Sequence, residues 1–422
     1  MKLHKVVITG IGAISPFGNG ADALLEGVYS NRSGIQNVGS KWKEEITDIL
    51  CEVGGAAAFE LNEKRIPREM RRNMGRISIL ACLSAEEAVK MAGLTEEHFT
   101  SGDYGVAFAS TTGSSQSLYD FMGRFIQEKR LSSIKSGQFF QVMSHTTAAN
   151  IACFLNVKGR VISPNSACSS AAQSIGLAYE TIKYGLQKGM ICGGAEELHA
   201  TTAATFDLLQ AASFHYNDNP SATPRPFDVD RDGTVCGEGS GVLILESEEN
   251  ARSRGAQILG EIAGFTTFSS GDHMSRVTEK ELVDGIERFF GETGFSPADV
   301  DYINAHGTGT ILGDAEESMA LEKVFNGRGY HPYVSSLKGH LGHTLGASAA
   351  LEMIVCLEMM KRGRLVPTKN LDHPDPKCGD INYLREYKAM KLHLIMKDSF
   401  AFGGINSILL LRSYEHGNQP NF

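Results

Sequence analysis

The 422-residue chain has no net positive charge, no CxxC pair and no long apolar run, and each absence removes a class of function. A formal net charge of −9 argues against a nucleic-acid binder. It also means that an acidic protein partner would need a local basic patch to dock on. The eight cysteines are scattered without Cys/His ligand spacing, so no metal centre is expected. Most of them, including Cys82, Cys153, Cys192 and Cys356, lie in apolar runs, as reduced core thiols of a cytoplasmic protein do. No apolar stretch reaches the ~20 residues that cross a bilayer, and no membrane association is expected. Lys2 and Lys5 lead straight into a strand rather than into a signal-peptide core. Low-complexity tracts and long linkers are also missing. What is plentiful is glycine, 46 residues of it, which implies many tight turns and close backbone approaches.

Val6-Val7-Ile8-Thr9 reads as a buried strand leading into Gly10-Ile11-Gly12-Ala13-Ile14-Ser15. This is an incomplete dinucleotide fingerprint with Ser15 in place of the third glycine, so no nicotinamide cofactor is expected. Residues 31–62 are mixed and polar, an irregular surface region. Lys64, Arg65, Arg68, Arg71, Arg72 and Arg76 then crowd one segment around Pro67. Such a run is either a solvated face or, on an acidic chain, a dock for an acidic partner. A helix is predicted over 77–92, a loop over 93–102, and strands at Tyr104–Ala109 and at 161–163.

The next stretch, Asn165-Ser166-Ala167-Cys168-Ser169-Ser170, leads into a helix marked by Ile175, Ala178, Tyr179 and Ile182 at helical spacing. Cys168 therefore stands at a helix N-terminus, where free N–H groups and the helix dipole would favour a thiolate. A lone cysteine is more often buried and inert. Its partners in the second half of the sequence argue otherwise. Asn304-Ala305-His306-Gly307-Thr308-Gly309-Thr310 ends a strand, Lys338-Gly339-His340-Leu341-Gly342-His343 precedes a helix, and Ser399-Phe400-Ala401-Phe402-Gly403-Gly404 precedes the last strand. Ends of strands are where α/β proteins place their active sites. The second half also repeats the first in order of element: Val334-Ser335-Ser336, a Gly/His turn and a helix match the elements around Cys168. Two similar α/β halves are expected, residues 1–250 with the cysteine and 251–412 with the histidines, followed by a loose tail, 413–422.

These segments resemble the β-ketoacyl-[acyl carrier protein] synthases of the elongating Cys-His-His type, from fatty-acid and type II polyketide systems. The resemblance runs through the opening Val-Val-Ile-Thr-Gly-Ile-Gly, Ala167-Cys168-Ser169, Arg225-Pro226-Phe227-Asp228, His306 through Asp314, Lys338 through His343, and Phe402-Gly403-Gly404. It implies the thiolase fold, duplicated halves in a five-layered α-β-α-β-α arrangement. It also implies no cofactor of its own, with substrates carried on the phosphopantetheine of an acyl carrier protein. Cys168 would accept the acyl group. His306 and His343 would stabilise the enolate left when malonyl-carrier protein loses carbon dioxide. Lys338 would fix their protonation, with Glu317 as its ion partner and Asp314 in support. The N–H groups of Cys168 and Phe402 would form the oxyanion hole. Thr308 and Thr310 would hold the pantetheine arm, and Phe402 with Phe206 would border the acyl pocket. Lys64, Arg65, Arg68, Arg71 and Arg72 would dock the carrier, and the chain would work as a homodimer or with a chain-length-factor-like subunit.

Within the fold, His/His separates this pattern from acyl-CoA-priming synthases, which use His and Asn, and from thiolases, which use a second late cysteine. An intact nucleophile separates it from non-condensing scaffold subunits. Departures from the family pattern are Gly339, His340, Asp398 before Ser399, His145, and Ser169-Ser170 after the cysteine. They favour a specialised polyketide or polyene system over housekeeping fatty-acid elongation.

Overall fold

The computed structural model describes residues 2–271 and 273–414. Eleven strands in chain order carry the architecture: β1 (Val6–Ser15), β2 (Tyr104–Ala109), β3 (Val161–Ile162), β4 (Gly189–Glu196), β5 (Gly239–Ser247), β6 (Gly260–Ser269), β7 (Tyr302–Asn304), β8 (Tyr333–Ser335), β9 (Asn382–Tyr383), β10 (Leu394–Ser399) and β11 (Ile405–Arg412). Across the sheet they lie in the order β9-β8-β7-β10-β11-β6-β1-β5-β4-β2-β3, with Gly18–Asn19 folded back on the end of β1. The order 3-2-4-5-1 on one side repeats as 8-7-10-11-6 on the other. Pairing repeats too: β2 is parallel to β3 and β4, as β7 is to β8 and β10; the added edge strand β9 is parallel to β8, and the remaining neighbours are antiparallel. The two sheets of the expected layering are continuous here, joined where Val6, Val7 and Ile8 of β1 pair with Ile262, Glu261 and Gly260 of β6.

Six helices matter below: α1 (Arg76–Ala92), α2 (Ser115–Glu128), α3 (Ser170–Lys183), α4 (Glu279–Thr293), α5 (Ile311–Val324) and α6 (Ser348–Arg362). α3 and α6 are the central layer. Ile175, Ala178 and Ile182 of α3 and Leu351, Ile354 and Val355 of α6 share one core with Ile8, Leu243, Leu245, Leu409 and Leu411 of the sheet. α1 covers the outer face of the first half with a second core, and α4 and α5 cover the outer face of the second with a third. A helix that is apolar nearly all round has to be buried on all sides, and α6 is.

The incomplete glycine fingerprint turns out to be a packing device. Gly10 and Gly12 lie inside β1 with α1 against them. A Cβ on Gly10 would sit 2.3 Å from the Ala88 oxygen, and one on Gly12 2.0 Å from that of Ser84. The turn that a dinucleotide would need is absent, because the chain continues as strand to Ser15. Residues 31–62 are more ordered than expected. They form a short ladder, 36–37 with 53–54, and a helix, Gly39–Glu45, around the buried Trp42. Of the tail predicted to be loose, Ser413 and Tyr414 are anchored. The Ser413 N–H donates to His393 O (2.9 Å), and the Tyr414 hydroxyl donates to Glu248 (2.8 Å) and accepts from Arg252 (2.7 Å). Residues 415–422 lie outside the described residues. No helix of the described residues is long and apolar enough to cross a membrane.

Candidate active site

Between β3 and α3 the chain makes a tight turn. Ala167 has φ +46°, an uncommon conformation for a residue with a side chain, and a short 3-10 turn, Ala167–Ser169, follows. The Ser169 hydroxyl reaches across to the Ile405 oxygen of β11 (2.8 Å) and ties the turn to the second half. Cys168 is thereby held at the base of a cavity, 6 % exposed.

The strand–turn segments of the second half bring both predicted histidines to it. The Cys168 sulfur and one ring nitrogen each of His306 and His343 all lie within 4.8 Å of one another. The two rings meet edge to face, 5.3 Å between centroids at 86°. His343 is pinned through its main chain, donating to Val235 O (2.7 Å) and accepting from Gly237 N–H (2.8 Å). Its Nδ1 meets the Ser348 hydroxyl at 3.1 Å, and its Nε2 has no partner among the described residues. His306 is seated by Glu317, whose two carboxyl oxygens accept the N–H groups of His306 (2.7 Å) and Gly307 (2.8 Å).

That seat corrects one expectation. Glu317 does not serve as the ion partner of Lys338, because its oxygens are taken by main-chain donors. Lys338 pairs with Glu352 of α6 at 2.6 Å, and its ammonium also donates to the His306 carbonyl (2.9 Å). The second oxygen of Glu352 pairs with Lys397 at 3.0 Å. Glu352 and Lys397 were hidden in the sequence within an apolar helix and an apolar strand. A lone charge inside such a run was the available signal, since buried charges require partners.

Burial, then the positive field of Lys338, holds the His306 and His343 imidazoles well below their ordinary pKa, so both are neutral. The thiol of Cys168 contradicts the thiolate expectation. Burial pushes it up to about 12, with the nearby Glu196 adding to the shift and Lys338 only partly offsetting it. At this helix start, burial outweighs the charge of Lys338 and the main-chain hydrogen bond, and the resting group is a thiol. Glu196 is itself buried and raised to about 7, fastened to the Thr111 hydroxyl (2.8 Å) and the Gly346 N–H (3.0 Å).

A cavity of about 790 Å³ opens from the sulfur. Ala167, Phe206, Leu345 and Phe402 wall its inner end, and Leu118, Tyr119 and Met122 of α2 its outer end. The Phe206 and Phe402 rings lie 5.7 Å apart. Among the described residues, the Phe402 N–H meets no acceptor, while the flanking Gly403 and Gly404 N–H groups are bonded to Met274 and Ala401. Thr308 and Thr310 are half-buried with their hydroxyls 3.0 Å apart. Asp314 acts on the main chain, accepting from the N–H groups of Phe227 (2.7 Å) and Gly309 (3.1 Å).

Other predicted residues stand apart from the sulfur. His340 is fully buried, with neither ring nitrogen partnered among the described residues, and lies outside the Cys168–His306–His343 group. Gly339 is a space requirement: a Cβ there would lie 2.5 Å from the Lys369 oxygen. His145 is exposed and does not line the cavity. In the basic segment, Arg65 is paired with Glu86 (2.8 Å) and Arg71 with Glu63 (2.9 Å). Lys64, Arg68 and Arg72 are exposed, whereas Arg76 is committed to the buried Glu238 (3.0 Å).

The family descriptions "Beta-ketoacyl synthase, N-terminal domain" and "Beta-ketoacyl synthase, C-terminal domain" match residues 3–251 and 259–372. The chain is 32 % identical to the 3-oxoacyl-[acyl-carrier-protein] synthase 2 of Synechocystis sp., over 98 % of this chain and 99 % of that protein. A β-ketoacyl synthase structure from Burkholderia phymatum superposes with a TM-score of 0.93 at 37 % identity, covering 98 % of this chain and 100 % of the other. The ketosynthase of a type II polyketide synthase, solved with its acyl-carrier protein and bound to the hexaketide (AntDE:AntF), superposes with a TM-score of 0.89 at 27 % identity and the same coverage. With a buried thiol facing two neutral imidazoles in this fold, the chain belongs to the β-ketoacyl-[acyl carrier protein] synthases, acyl-transferring enzymes with the thiolase fold.

Proposed function

We propose that this chain catalyses decarboxylative Claisen condensation between an acyl thioester on Cys168 and malonyl-[acyl carrier protein], in a specialised type II polyketide, polyene or fatty-acid pathway. The observation that carries the reading is the Cys168 sulfur with the His306 and His343 nitrogens, all within 4.8 Å, with Cys168 itself lining the cavity. A thiol held near 12 needs a base during attack. The His343 Nε2, without a partner among the described residues, is the group placed to take its proton as sulfur bonds to the acyl carbon and to pass it to the carrier sulfur as that leaves, which returns the ring to neutral. Malonyl-carrier protein then enters and loses carbon dioxide. The enolate oxygen takes hydrogen bonds from the neutral imidazoles, and its carbon attacks the Cys168 thioester. The carbonyl oxygen of that thioester becomes negative and is received by the N–H groups of Cys168 and Phe402. Each such donor lowers the barrier by about 3 kcal/mol. Collapse expels the sulfur and leaves a β-ketoacyl chain two carbons longer on the carrier.

In this reading Lys338 and Glu317 keep the histidines oriented, Asp314 supports the turn, Thr308 and Thr310 bind the pantetheine arm, and Phe402 with Phe206 gates the acyl pocket. Residues 1–250 and 251–412 act as the two halves, and the protein works in the cytoplasm without a cofactor or metal of its own. The exposed apolar side chains of α2, among them Leu118, Met122 and Ile126, suit a cover by a second copy or by a chain-length-factor-like subunit. Housekeeping fatty-acid elongation is the second reading, favoured by the likeness to the Synechocystis synthase.

Incubation with acyl-carrier protein followed by intact-mass measurement tests the main claim. Wild type should gain the acyl mass and Cys168→Ala should not; acylation or condensation by the variant removes the assignment. For docking, Arg68→Glu with Arg72→Glu should weaken carrier binding most at low salt. Unchanged affinity there places the dock elsewhere than Lys64–Arg72.

A further inference from the structure

Five charged side chains are packed beneath His306, and their charges do not balance. Lys338 and Lys397 supply two cations; Glu352, Glu317 and Asp398 supply three carboxyls, and none of the five is more than 2 % exposed. The two ammoniums converge on Glu352, at 2.6 and 3.0 Å. Lys397 also donates to the main-chain oxygen of Asp398 and reaches the Asp398 carboxyl only through its charge. Among the described residues, both Asp398 oxygens are buried with no hydrogen-bond donor of good geometry. The group within hydrogen-bonding reach is the carboxyl of Glu317. The nearest main-chain donor, the His306 N–H, is already taken by Glu317 at 2.7 Å.

Two carboxylates in contact in a dry interior cannot both be ionised without a large penalty. One proton between them resolves three difficulties together. It gives Asp398 a hydrogen bond, it leaves Glu317 free to accept from His306 and Gly307, and it brings the five-group cluster to neutrality. We propose that Asp398 and Glu317 hold a single shared proton and together act as positioning residues for His306. The inference rests on the proposed role of His306 only for its catalytic consequence; the shared proton is a property of the folded chain.

The charged groups facing the pair are Lys338 before β9, Glu352 of α6, Lys397 of β10 and Asp314 of α5, with the neutral rings of His306 and His343 above. Burial raises Asp398 to about 6 and Glu317 well above the ordinary carboxylate range; the Asp398 anion adds to the rise of Glu317, while a hydrogen bond from Glu317 favours the Asp398 anion. The sign follows from linkage. A group that holds its proton more tightly when folded stabilises the fold at low pH, and that stability is lost as pH rises through the folded value. Wild type should therefore lose stability as pH rises from the ordinary carboxylate range, through about 6 for Asp398 and on above it for Glu317. Asp398→Asn keeps the shape and supplies a permanent N–H donor to Glu317, so it should not.

The experiment is the melting temperature of wild type and Asp398→Asn from pH 5 to 9, read as their difference. Other buried titrating groups, such as Glu196, are common to both and cancel. The variant should gain several degrees relative to wild type across that range, and parallel curves overturn the proposal. Should Asp398→Asn fail to fold, Glu317→Gln removes the other member and should flatten the wild-type dependence in the same way; parallel curves there overturn it equally. For catalysis, the alkaline limb of kcat/KM for malonyl decarboxylation should move to higher pH in Asp398→Asn, because the variant has no shared proton to lose. An unmoved limb beside a changed melting profile overturns the positioning role. These melting curves need no substrate, so their failure is distinct from a failure of Cys168 to take an acyl group.

Discussion

The turn carrying Cys168 and the turn after His343 are the same structure used twice. Ala167 has φ +46° and Leu345 φ +44°; each opens a 3-10 turn, and helices α3 and α6 start at Ser170 and Ser348. By this correspondence Cys168 matches Gly346, and Ser174 matches Glu352. Position 346 has no room for a nucleophile, since a Cβ there would lie 2.8 Å from a Glu196 oxygen. The first half therefore offers a neutral sulfur in a setting of small residues. The second spends the equivalent helix on a buried anion, Glu352, that steadies two lysines beneath the imidazoles. Duplication supplied two equal seats, and they diverged according to whether a side chain fits and whether charge lies below.

The sharpest way to break the comparison is to exchange its charges. Glu352→Gln leaves Lys338 and Lys397 buried without their anion and should cost about 3–5 kcal/mol in denaturant unfolding. Ser174→Ala at the matching place should cost under about 1 kcal/mol. Equal costs would mean that the second-half cluster does not depend on Glu352. Next in size, His306→Ala should slow malonyl decarboxylation by about 100-fold while acylation of Cys168 falls much less. Single-turnover assays separate the steps, and equal loss of both would erase the division of labour between halves. The smallest effect belongs to the turns themselves. Ala167→Gly removes a strained φ and loosens the unfolded chain, so its stability should stay within about 1 kcal/mol of wild type. Leu345→Gly also loses a buried side chain and should cost more by thermal unfolding.

The repeat and the reacting groups were legible because they depend on local pattern. His306 and His343 each sit beside glycine at the end of an apolar run, and Cys168 sits in a run of small residues before a helix, so element-end placement follows from local pattern. What the pattern could not show is how side chains meet across the repeat. The resemblance implied Glu317 as the partner of Lys338, whereas Glu352 of α6 takes that place and Glu317 is claimed by the main chain of His306. The thiolate expectation failed for a similar reason: helix position is visible in the chain, and depth of burial is not. Gly10 and Gly12 looked like part of a phosphate turn because the sequence does not reveal that α1 lies directly on that strand.

The backbone ladder from Val6–Ile8 to Gly260–Ile262 has a further consequence. With the lobes spliced edge to edge, neither can swing away from the other to admit a bulky reactant. The gap between sulfur and imidazoles is set as if by a ruler, held by main-chain bonds between the lobes rather than by a hinge.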